Sequence, residues 1–264
     1  MNSFFIISGL ITLACAFFVS EKVWKVTPVS EKVIGASMLL AIACTLFGII
    51  LLEPLSVEGV NFRLPAAVAI CTVLVQSIYT WGLLHHGVRG LGLFLLPSTA
   101  LPLLMIPFLP DAAVWVQTAS ALQIGHLLIS LCSYAVLTLA ALHALMHLLL
   151  DRALKRKMMG PMVQSMPSLM EIENHMFAQV KWSLWLLSLG LLSGLAWQWG
   201  NLGALELLSH KIVLAFLAWV MLLMMLVFRP RFAHTRRASM IVLGSYSLLL
   251  LSYFGVKLIQ SWLS

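Results

Sequence analysis

Eight apolar runs constrain this 264-residue chain more than any motif in it. They fall at residues 3–20, 33–52, 64–84, 91–109, 121–150, 178–199, 209–228 and 238–262, and a helix needs about 20 mostly apolar residues to cross the hydrocarbon core of a bilayer. Charged residues make up 9% of the chain and hydrophobic ones 61%, against about 25% charged in an ordinary soluble domain. So few charges cannot cover that much apolar surface in water, and the excess must face lipid. The chain therefore reads as all-α, a polytopic helical membrane protein with eight transmembrane helices in a single integral membrane domain, 1–264. The fourth run carries Pro97, Pro102 and Pro107, which membrane helices tolerate where neighbours satisfy the freed carbonyls. The fifth is long enough to tilt or to project beyond the bilayer. The run at 3–20 has no basic leader before it and is read as a retained first helix rather than a signal peptide.

Eight spans divide the loops into two sets. One set holds Lys22, Lys25, Lys32, Arg89, Arg152, Lys155, Arg156, Lys157, Lys181, Arg229, Arg231, Arg236 and Arg237, which is 13 of the 16 basic residues. The other holds Arg63, Lys211 and Lys257. Basic loops stay in the cytoplasm, so the first set is assigned there and both termini are assigned to the extracytoplasmic side of a multi-pass bacterial inner (plasma) membrane. The net charge of +7 is thus a topology signal, and no basic-aromatic stripe or nucleic-acid motif accompanies it. Lipid is the expected surround; nucleic acid is not an expected partner.

The motifs of common chemistries are missing. Cys15, Cys44, Cys71 and Cys132 lie inside apolar runs and form no C-x-x-C pair, which argues against a disulfide framework, a redox pair and covalent haem attachment. There is no G-x-S-x-G, no H-E-x-x-H and no phosphate-binding glycine loop, so nothing marks the chain as an enzyme. The longest loop, 151–177, is rich in methionine. Thioether is a soft copper ligand, but the favoured reading is an amphipathic segment in the headgroup layer, with Met170, Ile172, Met176 and Phe177 facing lipid.

Ionisable groups near a membrane are the default functional candidates. His126 lies early in the fifth run and His210 opens the seventh, both at the outer side under the assigned topology. Two histidines from different helices at one depth suit a metal or a haem iron held from opposite faces; alternatively they are unrelated headgroup-level residues. Ser130, Ser133, Ala140, Ala141 and Ala144 below His126, and the G-x-x-x-G pair Gly190 and Gly194, read as helix-packing faces. His143, His147 and Asp151 repeat at i, i+4 and i+8 and form a candidate second metal site or simply a hydrated helix end. Trp197 and Trp199 read as interfacial anchors, or as a platform for a flat ligand. His85 and His86 fall in a cytoplasmic turn, and His175 and His234 in cytoplasmic loops.

The stretches GHLLISLCSYAVLTLAALHALMHLLLDRALK, MPSLMEIENHMF, LGLLSGLAW, SHKIVLAFLAWVMLLMMLVF and SYFGVKLI resemble, in order and spacing, the cytochrome c assembly family of CcsA/CcmC-like haem-handling membrane proteins. They are most similar to its small, eight-helix YpjD-like branch. The likeness is specific over 121–264, while 1–120 matches mainly in hydropathy. The resemblance implies a b-type, non-covalent haem held between two outward-facing histidines, which fall on His126 and His210. It departs from the haem-handling members between the sixth and seventh runs: the segment WQWGNLGALELLSHK keeps Trp197, Trp199 and one lysine, Lys211, but lacks a W-D-P signature.

The expectation is therefore a haem-binding protein for cytochrome complex assembly. His126 and His210 would hold the iron, Trp197 and Trp199 would flank the ring, and Arg63 and Lys211 would pair with propionates. Other cytochrome c maturation proteins would be its partners. The alternative is an accessory subunit of a membrane transport protein for divalent ions, without haem handling, in which His143, His147 and Asp151 form the site.

Overall fold

A computed structural model describes residues 2–25, 30–52, 55–56, 59–61, 63–86, 90–109, 115–116, 121–158, 160–202, 210–232 and 236–255. The helices run α1 (Asn2–Trp24), α2 (Glu31–Leu51), α3 (Leu64–His86), α4 (Gly92–Met105), α5 (Ala121–Lys155), α6 (Pro161–Gln164), α7 (Leu169–Leu202), α8 (His210–Val227), α9 (Arg229–Phe232) and α10 (Arg236–Leu250). Each of the eight apolar runs is helical through most of its length. Among the described residues five helices, α1, α2, α3, α5 and α7, are long and apolar enough to cross a membrane, and Gly92–Phe108 and Lys211–Val227 are shorter apolar helices. Pro97 and Pro102 lie inside α4, which ends in a 3₁₀ turn, Ile106–Phe108.

The connections contain structure that the apolar runs do not announce. Strands β1 (Leu55–Ser56), β2 (Gly59–Asn61) and β3 (Trp115–Val116) form an antiparallel sheet in the order β1-β2-β3. Leu55 pairs with Val60, and Val60 with Val116. Strands this short carry no period that a sequence could reveal. The sheet ties the α2–α3 connection to the α4–α5 connection at one end of the bundle.

The 151–177 region departs from the expected interfacial segment. Helix α5 runs on to Lys155 and stops where Lys157 adopts a left-handed conformation (φ 55°) and Met158 N–H reaches back to Ala153 O at 3.0 Å, a common helix-ending arrangement. Helix α7 begins at Leu169, nine residues before the apolar run it contains. Met170 is exposed, but Ile172, Met176 and Phe177 are buried, not turned to lipid. They precede Val180, also buried, at helical spacing, and pack into the bundle against α5. The polar neighbours Glu171 and Lys181 remain outside, so the stripe is core helix interrupted by charge on its far face.

Two packed units share α5. Tyr134, Leu137, Ala140 and Ala144 of α5 meet α7, α8 and α10 in one core; Ala135, Leu139 and Leu142 meet α1, α2, α3 and α4 in another. The small residues of α5 pack as expected of membrane helices. Ser133 Oγ donates to Ser183 O at 3.2 Å and Ser183 Oγ returns a bond to Ser133 O at 3.4 Å, binding α5 to α7 without burying an unsatisfied hydroxyl. Phe5 of α1 is fully buried with Leu52, Ala66, Leu103 and Ile106, which places the start of α1 at the sheet end of the bundle. The basic residues Lys22, Lys32, Arg152, Lys155, Arg229, Arg231, Arg236 and Arg237 lie at or near the helix ends on the opposite side.

Candidate functional site

His126 stands five residues into α5, directly after the sheet. Its ring rests on the C-terminal third of α7. Nδ1 lies 2.9 Å from Gly190 O and 3.1 Å from Ser193 Oγ, and Ser193 donates its own hydroxyl proton to Gly190 O at 3.0 Å. A carbonyl only accepts, so Nδ1 carries the proton and donates. In a neutral imidazole that leaves Nε2 as a lone-pair donor, the state in which histidine binds metal.

The glycine pair of α7 makes this contact possible. A Cβ on Gly194 would come within 2.9 Å of His126 Cε1, 3.3 Å of Nδ1 and 3.5 Å of Nε2. Gly190 is looser, with Ser130 Oγ at 3.4 Å from the equivalent point. The G-x-x-x-G pair is thus a packing face, as its spacing implies, and the group it admits is the imidazole of His126.

A cavity of about 350 Å³ opens beside the ring, within the usual range for small-molecule sites. Its wall includes His126, Tyr134, Trp197, Gln198, Lys211 and Tyr253. Gln198 Oε1 is buried there with no hydrogen-bond partner among the described residues, a state that calls for a ligand or water. Tyr134 O–H donates to Leu249 O at 3.1 Å, and Ser252 Oγ donates to Lys211 O at 2.7 Å. These bonds join α5 and α8 to the end of α10 around the cavity.

Some of the expected site residues converge here and others do not. His126, Trp197 and Lys211 line the cavity. His210 opens α8 one residue before Lys211, and its side chain lies outside the described residues. Trp199 does not line the cavity and is 65% exposed. The reason is helical: two residues advance about 200° around the axis, so Trp197 and Trp199 cannot both face one pocket. Arg63 precedes α3, which packs on α2, α4 and α5, and it does not line the cavity either. The sequence does not single out Gln198, Tyr134 or Tyr253; the signal it offers is an amide, Gln198, set between two tryptophans.

The second candidate set separates into different uses. His143 and His147 are buried. His143 Nδ1 bonds Leu139 O at 2.9 Å, and its ring stacks on His175 at 5.7 Å between centroids. His147 Nδ1 meets Ser239 Oγ at 3.0 Å. Asp151 pairs instead with Lys155 at 2.8 Å. Among the described residues no three His, Cys, Asp or Glu side chains form a metal-binding group. His175, expected in a loop, lies in α7. His85 is exposed and stacks on Trp81 at 3.9 Å; the side chain of His86 and all of His234 lie outside the described residues. All four cysteines are free.

With this geometry the chain can be set beside known proteins. The sequence profile of the family described as Cytochrome C assembly protein matches residues 30–264. An uncharacterised 28.8 kDa protein of Azospirillum brasilense is 34% identical over 135 residues, 51% of this chain and 50% of that protein. The inner membrane protein YpjD of Escherichia coli K12 is 32% identical over 186 residues, 67% of this chain and 68% of its own. Protein HemX of Brevibacillus brevis is 27% identical over 116 residues, 43% of each chain. The aligned part therefore spans half the length of the first relative and about two thirds of the second. A profile match across nearly the whole chain, on a bundle of apolar helices, makes this multi-pass membrane protein a member of the cytochrome c assembly family.

Proposed function

We propose that the protein binds a b-type haem non-covalently in the cavity beside His126, at the extracytoplasmic face of the bacterial inner membrane, in the service of cytochrome complex assembly. The observation that carries this reading is the His126 ring, seated on Gly194 with Nδ1 committed to Gly190 O, so that Nε2 remains as a ligand at a cavity wall. The residues fit the group: a nitrogen donor with its tautomer fixed, a mostly apolar enclosure, the indole of Trp197, a buried unsatisfied amide oxygen and the Lys211 cation. Bound haem would supply an iron centre that histidine nitrogen ligates. His126 and, by its place at the head of α8, His210 would hold the iron. Trp197 would offer an apolar surface to the macrocycle, and the Lys211 cation would offset the charge of a carboxylate. Arg63 and Trp199 do not line the cavity and are left out of this reading.

The sidedness of the site rests on the charge division of the loops and on eight membrane crossings with both termini outside. The sheet supports that count, because it joins two connections that alternate spans would bring out on one side. Other cytochrome c maturation proteins are the proposed recipients. An accessory subunit for divalent-ion transport would use His143, His147 and Asp151, whose separate engagements leave no three-ligand group among the described residues.

Purification with haem supplied tests the proposal. Wild-type protein should show a Soret band, reduced in His126→Ala and in His210→Ala. No band in the wild type, or an undiminished band in the double variant, overturns the reading.

A further inference from the structure

A second hollow lies against the His126 cavity. It occupies about 500 Å³ between α7 and α8 and is lined almost wholly by apolar groups, among them Leu192, Val213, Phe216 and Trp219. Its rim faces outward: Leu192 is 64% exposed, Phe216 54% and Val213 45%. On a bundle of apolar helices such a rim meets acyl chains. The two hollows share a wall formed by Leu191 and Leu195 of α7 and Ile212 of α8. These shared side chains are aliphatic, and such side chains change rotamer on fast timescales.

The seam between α7 and α8 is pinned near the middle of both helices. Trp219 Nε1–H donates to Ser188 Oγ at 2.8 Å, and Ser188 Oγ donates to Leu184 O at 2.8 Å. Outward of this pin the helices leave room for both hollows. Along one side of α7, Gly190 faces Ser130 and Gly194 faces His126; one residue on, Leu191 and Leu195 form the partition; Leu192 lines the groove. A cavity filled from water would not need an apolar groove against its back wall. A planar amphiphile already dissolved in the bilayer would.

We propose that the groove between α7 and α8 is a lateral portal, through which the His126 cavity takes its planar amphiphilic ligand directly from the bilayer. The inference rests on the haem reading above and adds the route. Leu191, Leu195 and Ile212 act as the gate, and the Trp219–Ser188 bond sets how far the seam parts.

The test uses the full-length protein in phosphatidylcholine nanodiscs, mixed with phosphatidylcholine vesicles carrying haem in their lipid phase, with the Soret band followed in time. Leu192→Trp and Val213→Trp fill the groove from the lipid side, and neither position lines the cavity. They should slow loading about tenfold, equivalent to ~1.4 kcal/mol on the barrier, while final amplitude and band position match the wild type. Trp219→Phe removes the pin and should speed loading. Equal rates in wild type, both filled variants and the unpinned variant overturn the portal. Should the filled variants fail to fold, an unchanged rate in Trp219→Phe is enough to overturn it. A wild type that never develops a Soret band instead overturns the haem reading, so the two failures are distinguishable.

Discussion

Substituting alanine at Gly194 separates a binding role for the α7 glycines from a packing role. The new methyl would sit 2.9 Å from His126 Cε1 and 3.3 Å from Nδ1, well inside van der Waals contact. The ring cannot absorb this as a long flexible side chain would, because Nδ1 is held at 2.9 Å to Gly190 O. Either the imidazole swings away and gives up that bond, or α5 and α7 move apart along a shared core. Overpacking of this kind costs about 1–3 kcal/mol, whereas replacing a helical glycine by alanine returns about 1 kcal/mol of helix propensity. Fold stability should therefore change little, by roughly 0–2 kcal/mol, while the position of the histidine changes a good deal. Haem affinity should fall about tenfold or more, the equivalent of ~1.4 kcal/mol. Gly190→Ala is the internal control. Its methyl meets only Ser130 Oγ, at 3.4 Å, so affinity should hold and thermal stability should be equal or slightly higher. The assay is a haem titration followed at the Soret band, with thermal unfolding of the apo protein in parallel. If both variants lose affinity equally, the pair acts as a generic helix-packing motif. If Gly194→Ala binds haem like the wild type, the seating of His126 on this glycine is irrelevant to the site.

Two further outcomes are expected. In a background lacking the four native cysteines, Met170→Cys should react with a water-soluble maleimide and Met176→Cys should not, since Met170 is 62% exposed and Met176 is fully buried; equal labelling would restore a surface role to this segment. Ser239→Ala removes the hydroxyl 3.0 Å from His147 Nδ1 in a buried setting, and should lower unfolding stability by about 1–3 kcal/mol without moving haem affinity. A parallel loss of haem affinity would join the His147 region to the site.

What the sequence discloses and what it withholds divide along physical lines. The apolar runs are legible because lipid exposure imposes one continuous requirement on some twenty consecutive residues. The G-x-x-x-G spacing is legible as a packing face for the same local reason. Its partner is not, since His126 and Gly190 stand 64 positions apart and only the crossing of α5 with α7 brings them together. The early start of α7 has a periodic signal, since Ile172, Met176 and Val180 recur at i, i+4 and i+8, but Glu173 within that stretch and Glu171 and Lys181 at its edges give it the composition of an interfacial segment. Trp197 and Trp199 are near neighbours in sequence, but helical phase turns them to different sides. The charge pattern gives Arg63 a side of the membrane, and sidedness says nothing about which helix a residue sits beside.

The pairing of β2 with β3 also bears on the order in which the molecule is built. Its two halves, Gly59–Asn61 and Trp115–Val116, bracket α3 and α4. During synthesis the latch cannot close until both of those helices have emerged, so the first four pass through a stage in which their own contacts must hold them. The cluster of Phe5 with Leu52, Ala66, Leu103 and Ile106 is available at that stage, since all its members precede β3 in the chain. Closure then comes just as the chain begins α5, five residues before His126, so the nascent N-terminal helices form a finished docking surface before the histidine-bearing helix arrives.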